Sequence, residues 1–215
     1  MTCEFGDYLC TQNELVENRL GIRPRIIVEG PQGSGKTSLV SYLGTNLGYF
    51  STRGFPSSEF ILNAQNQAEI CVKSISQVSC QFEAEGAVFD RSPISQFAWM
   101  AKHGSDFDEV YSCTKAVLSK LAISGPLILL FVDSDVDACT QRQDMSDVFA
   151  ISKDKLEKEV EIYKKFCERL LADSIPGVIC REIKNTIDKP QEEFLNDGLI
   201  LVKELSDKKQ NDGNR

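Results

Sequence analysis

Apolar and polar positions along the chain fall into two alternating patterns. Ile26-Ile27-Val28, Gly86-Ala87-Val88-Phe89-Asp90 and Leu127-Ile128-Leu129-Leu130-Phe131-Val132-Asp133 are short runs that are apolar almost throughout. That is how parallel strands buried on both faces read. Gly48–Arg53 and Gly177–Cys180 are weaker runs of the same kind and supply a second and a fifth strand. Between them the apolar positions move to helical spacing. This predicts helices over Thr37–Leu47, over residues 59–83 with an irregular start, over Ile94–Ala101, and through Phe107, Val110, Tyr111, Thr114, Val117, Leu118 and Leu121. A further helix starts near Val136, and a long amphipathic one runs through Leu156, Val160, Tyr163, Phe166, Cys167 and Leu170. Pro190 can open a last helix through Phe194, Leu199, Leu201 and Val202. Residues 1–24 read as a peripheral lead-in with a short helix over Asn13–Asn18, and residues 206–215 as a frayed polar tail.

Five short strands alternating with helices predict an α/β domain built on a doubly wound parallel sheet with right-handed crossovers. There is no internal repeat or interdomain linker, so residues 1–215 are expected to form one domain. A ligand of such a sheet lies at the carboxyl ends of its strands. The residues at those ends therefore carry the chemistry.

The first strand runs into Gly30-Pro31-Gln32-Gly33-Ser34-Gly35-Lys36-Thr37, and a helix follows. Strand, glycine-rich turn and helix in that order make a P-loop, and the sheet is of the P-loop NTPase type. Glycines let consecutive backbone N–H groups converge on phosphate oxygens, and the helix dipole points its positive end at the same anion. Residues 30–37 are thus expected to bind ATP. Lys36 supplies a mobile charge for the β/γ-phosphates, and the Thr37 hydroxyl can ligate Mg2+. The third strand ends in Asp90-Arg91. Here the carboxylate can reach the Mg2+ shell and the guanidinium can clamp a phosphoryl group.

Composition narrows the partners. A net charge of −8 disfavours a broad nucleic-acid-binding face, and no apolar run approaches a membrane span. The acidic start, Met1-Thr2-Cys3-Glu4, is not that of a signal or transit peptide, and eight cysteines without a C-x2-C pair, beside one histidine, argue for free thiols rather than a zinc site. The expectation is a cytoplasmic protein in a reducing compartment. With only nine arginines in the chain, those at strand ends become informative. Anionic substrates need such local cations.

Asp90-Arg91-Ser92-Pro93-Ile94-Ser95-Gln96-Phe97-Ala98-Trp99 reads D-R-x3-S-x2-A-W. This resembles the thymidylate kinase signature. Arg53-Gly54-Phe55-Pro56 is similar to that family's R-x-P turn with one extra residue, and Thr186-Ile187-Asp188-Lys189-Pro190-Gln191 to a segment that borders the adenine. The resemblance implies transfer of the ATP γ-phosphoryl group to a deoxynucleoside monophosphate, with Mg2+. Arg53, Phe55, Arg91, Ser95 and Trp99 would then contact the acceptor, Trp99 near the sugar C2′. Arg142, in a candidate lid over residues 137–155, would stabilise charge on the transferring group. The resemblance leaves a homodimer open as the assembly.

Two departures bear on this reading. Gln32 stands where the family's P-loop usually carries an acid. The helix before Asp90 also lacks the arginine and aromatic expected to recognise thymine, so the base stays open. Asp90-Arg91-Ser92 with Ser95 is also close to the E-R-S motif of deoxynucleoside kinases. Those need a carboxylate base after the second strand, where this chain has Arg53 and, further on, Glu59. A cation there suits an acceptor that already bears a phosphate. A third reading, a nucleotide-binding P-loop protein without small-molecule turnover, is of a different class.

Overall fold

In the computed structural model of the protein, residues 23–52, 86–143 and 151–212 are described, with the side chains of Thr52 and 207–212 excepted. Five strands, β1 (Arg25–Glu29), β2 (Phe50–Thr52), β3 (Ala87–Asp90), β4 (Leu127–Asp133) and β5 (Val178–Lys184), form one sheet in the order β2-β3-β1-β4-β5. Every pairing is parallel, with Ile27 opposite both Phe89 and Leu129. The expected five-stranded parallel α/β sheet is therefore what the chain forms.

Alternation along the strands divides the core into two layers. Ile27, Ala87, Phe89, Leu129 and Phe131 face α2 (Pro93–Lys102), α3 (Phe107–Ile123) and α5 (Lys153–Ala172), through Ile94, Leu118 and Phe166 among others. Ile26, Val28, Val88, Ile128 and Leu130 face α1 (Lys36–Leu47) and α6 (Gln191–Asp212), through Leu39, Leu43, Phe194 and Val202. The short α4 (Val136–Arg142) completes the set and packs Cys139 on Leu156 and Val160 of α5. Arg25 enters β1 with its guanidinium donating to the Leu121 and Gly125 carbonyls at 2.7 and 2.8 Å, which satisfies the carboxyl end of α3.

Several boundaries differ from the sequence expectation. β2 starts at Phe50 rather than Gly48, because Gly48 takes a left-handed φ of 62° and caps α1 with its N–H on the Gly44 carbonyl. β5 continues four residues past Cys180, to Lys184. It is an edge strand paired only with β4, so Arg181, Glu182 and Lys184 can stay exposed while Ile183 is buried. α6 runs to Asp212 through the stretch expected to fray. The lead-in helix, the helix over 59–83, and the middle of the candidate lid fall outside the described residues.

Candidate active site

The strands end together, so the turns after β1, β3, β4 and β5 share one rim of the sheet. After β1 the chain closes a tight loop into α1. Gly33 has φ of 77°, and a Cβ there would stand 2.3 Å from the Cys139 carbonyl oxygen. Gly35, at φ 95°, would place a Cβ 2.6 Å from Asn185 Nδ2. Only glycine fits at either position. Gly35 is the N-cap of α1, which has no side-chain cap and no acidic residue in its first turn. The helix therefore presents an open, electropositive N-terminus of the kind that binds phosphate.

Lys36 is buried at the first position of α1, its Nζ donating to the Pro31 carbonyl at 2.5 Å and to Ser34 Oγ at 3.4 Å. Burial and the Arg91 charge push its pKa down from 10.5 to about 7, against the pull of Asp90, Glu159 and Glu29. Beside it, Thr37 Oγ1 donates to Asp90 Oδ2 at 2.6 Å. Two hard oxygen atoms thus sit side by side at the mouth of the glycine loop. Among the described residues no group of three or more His, Cys, Asp and Glu side chains is arranged to hold a metal.

The exit from β3 is strained. Arg91 takes φ of 76°, a left-handed conformation rare outside glycine, while its N–H donates to the Val28 carbonyl at 3.0 Å. This turn sends the guanidinium back over the site, where NH1 donates to Ser95 Oγ at 3.1 Å and to Tyr163 Oη at 3.2 Å. Ser92 then caps α2, its hydroxyl accepting from the Ile94 N–H, with Pro93 at the first helical position. Beneath the turn lies Glu29, wholly buried, taking short hydrogen bonds from Ser92 and Ser95. Burial raises its pKa, while Ser92, Ser95, Arg91 and Lys36 work against that rise. Arg91 is held protonated: burial opposes its charge, but Tyr163, Glu29, Glu159 and Asp90 outweigh it.

A third carboxylate closes the site from above. Glu159 of α5 accepts from the Gln32 N–H at 2.8 Å and from Lys102 Nζ at 2.7 Å. Burial favours its neutral form, yet Lys102, Arg91 and the Gln32 N–H hold its carboxyl below the usual range. So Gln32 brings no charge of its own, but its backbone carries one from α5. Trp99 lies half-buried one turn before His103, with the two rings edge-on and 4.2 Å apart.

The structure gathers Gly30–Thr37, Asp90 and Arg91 as the sequence implied. Arg53 and Phe55 lie outside the described residues. Two assignments change. Ser95, expected to touch the acceptor, is buried and gives its proton to Glu29, so it serves the arginine from behind. Arg142, expected at the transferring phosphoryl, instead donates to Ser134 Oγ, to the Asn185 carbonyl and Oδ1, and to the Thr186 carbonyl, at 2.9–3.2 Å. It is the last residue of α4, and these bonds commit its guanidinium to Ser134 and the turn after β5. Four residues were not singled out from sequence: Glu29, Glu159, Tyr163 and Asn185. Asn185 donates Nδ2 to the Ser34 carbonyl at 2.7 Å and so ties the phosphate loop to the end of β5. Of the four, Glu29 alone carried a signal, as an acid closing an apolar strand directly before the first loop glycine.

No protein-family model matches the chain, and no curated protein matches it in sequence. Solved structures do match in three dimensions. Deoxyadenosine kinase from M. mycoides with bound dCTP superposes with a TM-score of 0.59 at 15% identity, over 85% of this chain and 99% of that one. A gluconokinase from Sinorhizobium meliloti 1021 gives 0.55 at 16% identity, over 87% and 95%. The YorR protein from Bacillus subtilis, in complex with phosphorylated GDP, gives 0.54 at 15% identity, over 83% and 95%. At such identities the likeness is one of architecture, and the chain has the α/β fold of the P-loop kinases.

Proposed function

We propose that the protein transfers the γ-phosphoryl group of ATP to a (deoxy)nucleoside monophosphate, giving the diphosphate. The observation that carries this is the convergence of Lys36, the Thr37–Asp90 pair and Arg91 on the open N-terminus of α1. In phosphoryl transfer the protein mainly positions groups and stabilises charge, and these are the groups for it. Thr37 and Asp90 fit a Mg2+ ion by their hard oxygens. The ion would supply positive charge against the phosphates there. Lys36, whose pKa burial lowers in the free protein, would carry its charge to the phosphates and hold the donor. Arg91 would meet the charge between donor and acceptor. Arg53, at the end of β2 by sequence, would hold the acceptor phosphate, and Trp99 would lie against a deoxyribose.

Glu159 favours a second reading. An ionised carboxylate beside Arg91 and the phosphate loop could serve a neutral hydroxyl acceptor as base, as a nucleoside kinase requires. A panel of nucleosides and their monophosphates with Mg-ATP, read as ADP release, separates the two. Monophosphates should turn over, and Arg53→Ala should lower acceptor kcat/KM by roughly tenfold to a few hundredfold while the KM for ATP changes little. Rapid phosphorylation of free nucleosides with inert monophosphates would install the second reading.

A further inference from the structure

We propose that Glu29 is a positioning residue for this chemistry: its buried carboxylate fixes the direction of the hydrogen bonds that hold Arg91 over the phosphate loop. The proposal rests on the reading of Arg91 as the cation that meets the phosphoryl group. Glu29 ends a strand whose other central residues, Ile26, Ile27 and Val28, are wholly buried and apolar. A carboxylate at that depth is costly, and an apolar side chain would fill the same space without that cost. Its value lies in what it organises.

Both oxygens are committed. Oε1 accepts from the Ser92 N–H and the Ser92 hydroxyl, each at 2.6 Å, and Oε2 accepts from the Ser95 hydroxyl at 2.6 Å. Drawing the Ser92 amide onto the end of β1 forces the chain to reverse after Asp90, which is where Arg91 adopts φ of 76°. The second consequence concerns polarity. A serine hydroxyl has one proton and two lone pairs. Ser95 spends its proton on Glu29, so toward Arg91 and Tyr163 it can only accept. Arg91 NH1 donates to it at 3.1 Å, and the Tyr163 hydroxyl, 2.9 Å away, must be a donor too. Tyr163 Oη then keeps its lone pairs for Arg91 NH1 at 3.2 Å. Ionised, as its three donors, Arg91 and Lys36 favour against burial, Glu29 only accepts, and in that form it sets every bond in the chain running from Arg91 inward.

Glu29→Gln keeps the shape and breaks this logic. A donor from the amide meets the Ser92 N–H or the Ser95 hydroxyl, and a Ser95 proton released from Glu29 turns against the guanidinium. Two readouts test the idea. The first is a double-mutant cycle on ADP release, assayed well below each variant's melting temperature. Glu29→Gln should lower kcat by about 10- to 100-fold with the KM for ATP within about twofold, and in an Arg91→Ala background it should change kcat by less than about twofold. The second needs no activity. In nitrogen-15 NMR the wild-type Arg91 guanidinium, assigned by its loss in Arg91→Lys, should show restricted Nη rotation that Glu29→Gln releases. Ser95→Ala, which cuts the link without touching β1, should give the same release if Glu29→Gln does not fold. Additive effects in the cycle, or an unchanged Arg91 signal in either variant, would overturn the proposal. Absence of turnover with every nucleoside and nucleotide would sink the kinase reading, and the NMR result would still judge the positioning claim.

Discussion

Lys36→Met offers a test of the site through stability rather than rate. In the free protein Lys36 is buried and its pKa falls from 10.5 to about 7. At about 1.4 kcal/mol per pKa unit, the burial of its charge costs folding at most about 5 kcal/mol, an order-of-magnitude ceiling because the hydrogen bonds to Pro31 and Ser34 are lost in the variant. The sign follows from proton counting. Between about pH 7 and pH 10.5 the unfolded chain holds a proton on Lys36 that the folded chain lacks, so stability rises with pH in that window. Below about pH 7 both states are protonated and the full penalty is present. Lys36→Met removes the penalty. Urea unfolding of both proteins at pH 6, 7, 8 and 9 should show the variant more stable by a few kcal/mol at pH 6. The gap should then close by up to about 1.4 kcal/mol per pH unit above about 7. Titrating groups remote from Lys36 are shared and cancel in the difference, whereas Glu29, Asp90, Glu159 and Arg91 feel its charge and contribute to the gap. A variant less stable than wild type at pH 6, or a gap that does not change with pH, would refute the reasoning.

Asp90→Asn should weaken Mg2+-dependent turnover far more than it weakens the fold, because Thr37 keeps a hydrogen-bond acceptor while the hard anionic oxygen is lost; a Mg2+ titration of ADP release beside a thermal melt distinguishes the two. Arg142→Ala should cost about 1–2 kcal/mol of stability and raise the KM for ATP while leaving kcat within about threefold, since its bonds go to the Asn185–Thr186 loop; a fall in kcat alone would restore it to the transferring phosphoryl.

The pattern of buried runs was enough to read the sheet because a parallel strand covered on both faces has no polar side. β5 resisted that reading beyond Cys180 for the same reason in reverse: its edge position leaves Arg181, Glu182 and Lys184 wet. In the site, what could be read was what spacing encodes, namely the glycine loop with Lys36 and Thr37, and Asp90-Arg91 one strand over. Glu159 and Asn185 reach the loop from 127 and 151 residues away. Nothing local marks either, one acid among many on α5 and one amide in a polar turn. Ser95 illustrates a subtler limit. Its place in the motif is legible, but the direction its proton takes depends on Glu29, which only tertiary structure brings beside it.

The sheet order has a consequence for how this protein is made. The central strand, β1, is the first to be synthesised, yet its two partners lie far downstream, with Ile26 opposite Val88 on one side and Ile128 on the other. The P-loop motif is complete at Thr37, but the carbonyl of Ser34 is not anchored until Asn185 arrives, and Gly33 packs on Cys139. A nascent chain on the ribosome thus carries the whole motif for most of its translation without the shape that binds phosphate. Loops of such length delay closure and leave strand edges open in the meantime. On the proposed function, nucleotide would bind only chains in which β5 has emerged, and so would stabilise completed molecules without helping the early, aggregation-exposed ones.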